Sequence, residues 1–187
     1  ANDPEFAARA KMVAAEVVKD INNGIYENGS SFATPHYIQT VIDPILFTML
    51  QLKQAGIKNL FAEKGKMHRF FDFYNSLLTP PSVRFSGNRK LISFGDGSEE
   101  SATSFGLMAA GMEETDKEYS RKLYSTFYHG PARTSIYGYI ALAIDLTINP
   151  ESNFESANSN YTGYLSHFRS GVNTENESAL WVLNGDG

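Results

Sequence analysis

The sequence contains no cysteine. That excludes a disulfide framework and any thiolate-bound zinc. Charge is also scarce: Asp, Glu, Lys and Arg make up 20% of the chain, below the usual globular share. The 16 Lys and Arg are outnumbered by 21 Asp and Glu, for a formal net charge of −5. Without a concentrated cation surface, nucleic acid is not expected as a general partner. No apolar run is long enough to span a bilayer, so no membrane role is expected. The first residues read as a helix start rather than a signal peptide. His36, His68, His129 and His167 share no metal-ligand spacing, so neither a metal nor a cofactor is expected. What is present is a hydrophobic fraction of 42% and an aromatic fraction of 13% over 187 residues. That is enough for a real core, with a surface rich in uncharged polar groups and rings. Such surfaces suit neutral or weakly charged polar ligands, sugars among them.

Helical periodicity dominates the first 150 residues. Asp3-Pro4 is a helix opening, an N-cap carboxylate followed by Pro in the first turn. Phe6, Ala10, Val13, Ala14, Val17, Val18 and Ile21 then form an apolar stripe, ended by Asn22-Asn23-Gly24 with Gly24 as a left-handed cap. Thr34-Pro35 opens a second helix. Its predicted buried face is Tyr37, Val41, Ile42, Ile45, Leu46, Met49, Leu50 and Leu52, with Pro44 inside the run. A third helix is predicted over 66–78, ended by Pro80-Pro81, and a short one over 101–110. Thr115 to Glu118 reads as a capping box opening a helix that runs to Tyr128. Residues 136–148 read as a buried helix. Residues 151–163 are rich in Ser and Asn and read as a linker. Two strands are then predicted over 164–170 and 179–183. The expected division is a helical domain over 1–150, the linker over 151–163, and the start of a β domain over 164–187.

One stretch resists both periods. Residues 77–100 carry Thr79-Pro80-Pro81, then Arg84, Arg89 and Lys90, then Gly95-Asp96-Gly97. An irregular segment of roughly twenty residues inside a compact domain is usually functional or disordered. This one interleaves cations with Val83, Phe85, Leu91, Ile92 and Phe94, so order and function are expected.

Three segments carry a resemblance. Asn23-Gly24-Ile25-Tyr26-Glu27, followed by Pro35-His36-Tyr37, is similar to a segment of the heparinase II/III-like family. Leu78-Thr79-Pro80-Pro81 through Arg89 to Gly95-Asp96 resembles a loop after a helix in the same group. Glu177 to Asp186 resembles the first strand of its β-sandwich. The resemblance implies a mainly α fold: an incomplete α/α toroid of helical hairpins followed by the first strands of a β-sandwich. It also implies an exported, secreted or periplasmic polysaccharide lyase that cleaves uronic-acid glycans by β-elimination. That chemistry needs a group to neutralise the uronate carboxylate and a base, Tyr or His, at the C5 proton.

On that reading the catalytic candidates are Tyr26, Glu27, His36 and Tyr37. The phenols would transfer a proton or stack on a sugar ring, and Glu27 would orient a base or bind hydroxyls. The substrate-binding candidates are Asn23, Arg84, Arg89 and Asp96, the two arginines because guanidinium binds carboxylate bidentately. The partner expected is an acidic polysaccharide or oligosaccharide. Two alternatives stay open: a glycoside hydrolase on the same scaffold, which needs a carboxylate pair such as Glu27 with Asp96, and a non-catalytic glycan-binding module. The sequence leaves the glycan and the oligomeric state open.

Overall fold

The computed structural model describes residues 3–31, 33–61, 65–95, 97–101, 103–128 and 154–184. Among them are five α-helices and a small antiparallel sheet, so the chain is mainly α. The predicted helix over 136–148, and with it Asp96 and His129, lies outside the described residues.

Helix α1 spans Pro4–Gly24, and Asp3 caps it by accepting from the Glu5 and Phe6 N–H groups. Gly24 is not left-handed as expected. It is the last helical residue, and extended Ile25 caps the helix through its N–H to the Ile21 carbonyl. The buried stripe is narrower than predicted: Ala14, Val17 and Ile21 are covered, while Phe6 and Val13 are exposed. Helix α2 spans Pro35–Gln54 with Pro44 inside it. Its buried face includes Ile38 and Asp43, while Tyr37 and Val41 point to solvent. An inward-facing carboxylate rotates the covered face away from the purely apolar stripe.

Helix α3 spans Lys66–Ser76 and buries Phe70, Phe71, Phe73 and Tyr74, as a helix apolar on most sides must. Helix α4, Ser104–Met112, is buried along nearly its whole length and packs on both α2 and α5. Gly111 lets it seat against the Phe61 ring, in space a side chain would fill. Helix α5 spans Lys117–Tyr128. Asp116 rather than Thr115 accepts from a first-turn N–H, that of Tyr119 at 3.0 Å, which moves the expected cap by one residue. Each fully covered large side chain of this core contributes about 1.5–3 kcal/mol by burial.

The stretch 77–100 is ordered. Single antiparallel bridges join Leu78 to Leu91, Ser82 to Asn88 and Leu91 to Glu100, and Val83–Phe85 form a 3-10 turn. Its backbone groups are paired in isolated steps, so no strand period shows in the sequence.

The sheet has the order β1-β2-β3, with β1 at Ser159–Tyr161, β2 at Leu165–Ser170 and β3 at Ser178–Leu183. Residues 159–161, read as the end of a linker, are thus a strand paired with β2. The sheet packs directly on the helical layer. Trp181 Nε1 donates to the Ser76 carbonyl (2.8 Å), Tyr164 OH to that of Ala33 (3.0 Å), and Asn28 Nδ2 to that of Thr162 (3.2 Å).

Candidate functional site

The first turns of α2 bring two side chains toward Glu100 and Thr103. His36 and Gln39 are three apart on the helix and share a face. His36 Nδ1 lies 2.6 Å from Glu100 Oε1, and Gln39 Nε2 donates to Thr103 Oγ1 at 2.9 Å. Gly97 makes this approach possible: a Cβ there would come within 2.8 Å of His36 Cβ. Gly97 thus brings the loop backbone up against His36.

Below the pair lies a buried polar layer. Ser104 Oγ donates to Asp43 Oδ1 at 2.5 Å and Thr103 Oγ1 to Asp43 Oδ2 at 3.2 Å. Burial raises the Asp43 pKa, and the two hydroxyls offset only part of that. Tyr74 is fully covered beside it. Burial first, then the Asp43 carboxylate, holds its phenol well above the usual range, so it stays protonated. Two buried acceptor or donor atoms near the surface pair, Thr34 Oγ1 and Gln39 Oε1, have no hydrogen-bond partner among the described residues. Buried polar atoms are rarely left unpaired, and functional sites are one place where they are.

The sequence candidates separate into two groups. Asn23 and Tyr37 line a groove of about 530 Å³ between α1 and α2, walled mainly by Ile21, Ile25, Ile38 and Val41. Tyr37 is 49% exposed, and its ring meets His36 edge-on at 5.1 Å between centroids. Tyr26 is exposed on the turn that leaves α1. The others are engaged by ion partners. Glu27 meets Lys66 at 3.0 Å and Arg69 at 3.4 Å on the surface. Arg84 pairs with Glu99 at 2.7 Å. Arg89 already binds a carboxylate bidentately: that of Glu177, at 2.5 and 2.7 Å.

Glu177 sits at the centre of a second cluster that residue-by-residue reading missed. Arg169 Nη1 donates to it at 2.5 Å, and Arg169 also donates to the Leu78 carbonyl and to His167 Nε2 (3.3 Å). The Arg89 guanidinium lies over the Phe154 ring, 3.9 Å from its centroid. Burial alone would raise the Glu177 pKa. Arg89, the Asn173 N–H and Arg169 outweigh it and hold the carboxyl at about 2. His167 is pushed down to about 4, first by burial and then by the Arg169 charge, with the Ala157 backbone opposing slightly. This cluster ties loop, sheet and α3 end together. The pattern of β2 hides it, because His167 and Arg169 turn inward while Phe168 faces solvent.

Comparison with protein-family models, with curated proteins and with solved structures gives no match. Among the described residues no group of His, Asp and Glu could hold a metal ion, and no helix is long and apolar enough to cross a membrane.

Proposed function

We propose that the chain is part of an exported carbohydrate-active enzyme, a polysaccharide lyase acting on uronic-acid glycans by β-elimination. In this reading the helices belong to an α/α toroid and the sheet opens a β-sandwich, with export to the periplasm or the medium. The observation that carries the proposal is the half-buried His36–Glu100 pair, next to exposed Tyr37 and the unpartnered Thr34 and Gln39 oxygens. With Nδ1 fixed by Glu100, His36 presents Nε2 outward. Because Nδ1–H donates to Glu100, the Nε2 lone pair is free to take the C5 proton of the uronate. As the C4–C5 double bond forms, the C4–oxygen bond breaks, and the neighbouring Tyr37 phenol gives its proton to the departing oxygen. Asn23, on the same groove as Tyr37, holds the adjoining sugar.

The test is ultraviolet absorbance of the unsaturated uronate while the chain is incubated with acidic glycans, repeated with His36→Ala and Tyr37→Phe. A rise on one glycan, lost in both variants, supports the proposal. A flat trace with rising reducing ends replaces elimination by hydrolysis. Flat readings on both, with saturable glycan binding, leave the binding module, a reading favoured by the exposed rings of Tyr26 and Tyr37.

A further inference from the structure

A cavity of about 500 Å³ opens between α3, α5 and the segment leading into β1. Its size falls in the range of small-molecule sites. The wall is polar in an ordered way. Tyr119 OH donates to Asp72 Oδ1 at 2.7 Å, and the Tyr119 ring is fixed from behind by stacking on His68 at 3.8 Å. Lys122 Nζ meets Glu155 Oε2 at 3.0 Å, and Asn75 Nδ2 pins the Glu155 backbone carbonyl at 2.8 Å. Tyr161 closes one side, largely buried, its ring edge-on to Phe73. The cavity therefore combines two carboxylates, an ammonium and two tyrosines on positions held by packing.

We propose that this cavity binds a neutral saccharide unit. Carboxylates accept from paired hydroxyls, and charge-assisted hydrogen bonds of that kind are the strong ones. The Lys122 ammonium donates to a ring or hydroxyl oxygen, and the tyrosines offer apolar ring surface with a polar tip. The charge balance sets the class. Among the lining residues Asp72 and Glu155 face one cation, Lys122, so the wall carries an excess of one negative charge. An anionic sugar would be repelled, and a neutral one is not. The inference stands apart from the lyase reading, because the His36 pair contributes nothing to this cavity. Sugar binding here without elimination, or elimination without binding here, would separate the two.

The experiment is saturation-transfer NMR and calorimetric titration of the chain with glucose, galactose and N-acetylglucosamine, with glucuronate as the anionic control. Asp72→Asn keeps the size of the side chain and an acceptor for Tyr119, and removes the charge. Thr126→Trp, on the lining face of α5, fills the cavity. Expected is saturable binding of at least one neutral sugar, weakened roughly tenfold in Asp72→Asn, abolished in Thr126→Trp, and unchanged in Arg9→Ala on the exposed face of α1, with thermal unfolding of Asp72→Asn unaltered. The proposal is overturned if no neutral sugar binds, if glucuronate binds as well as they do, or if Asp72→Asn and Thr126→Trp both bind like the parent chain.

Discussion

Acidification from about pH 8 to about pH 5 should destabilise the chain through one buried imidazole. Unfolded, His167 titrates near 6.5. Folded, it titrates at about 4, because its ring is fully covered and faces Arg169. Between those values the unfolded chain holds a proton that the native chain refuses. Stability therefore falls as pH drops through 6.5 and stops falling from this source below 4. At about pH 5 the loss amounts to ~2 kcal/mol, and across the whole window to ~3 kcal/mol. Glu177 acts lower down with the same sign. Its folded carboxyl titrates at about 2, so its contribution is complete above the unfolded value near 4.3 and disappears as pH falls toward 2. The assay is urea unfolding followed by circular dichroism at several pH values, for the parent chain and for His167→Gln, which keeps an acceptor for Arg169. All other titrating groups are common to both chains and cancel in the difference. The variant should gain ~2 kcal/mol on the parent between about pH 8 and about pH 5. A difference that stays constant over that range refutes the argument.

Removing one partner of the buried triad should be far costlier than removing a surface partner. Arg89→Ala should lose about 3 kcal/mol by urea titration, and Arg84→Ala, whose side chain is 71% exposed, less than about 1 kcal/mol. Equal losses would contradict the division between latch and surface pair. Gly97→Ala should displace His36 from Glu100, seen as a shifted imidazole resonance, since its new methyl would meet His36 Cβ. An unmoved resonance would show that the loop yields instead. Phe71→Ala should cost about 3–5 kcal/mol in the same unfolding assay; a loss under about 1 kcal/mol would mean that the cavity collapses freely.

The helices were legible because their signals are local. Asp3-Pro4, the Phe70 to Tyr74 run and the Pro80-Pro81 stop all act within a few residues. The strands at 165–170 and 178–183 were legible for the same reason. The buried face of α2 was misjudged at Tyr37 and Val41 because Asp43 turns inward, and only its partners Thr103 and Ser104, sixty residues on, make that tolerable. Arg89 shows the same limit. A bidentate carboxylate binder was evident from its type, but the carboxylate proved to be Glu177, 88 positions away in the same chain. His36 was a candidate from its place in the first turn of a helix, while Glu100, its orienting partner 64 positions later, gave no sequence signal. Distance along the chain, more than chemistry, decided what could be read.

The single tryptophan has a practical consequence. Trp181 lies on β3, with its indole N–H bonded to the Ser76 carbonyl at the end of α3. Intrinsic emission on selective excitation thus comes entirely from the seam where sheet meets helices. Far-ultraviolet ellipticity is dominated by the helices themselves. Followed together through a melt, the two signals distinguish a chain that unravels as one cooperative body from one whose β appendage peels off first, without any label being introduced.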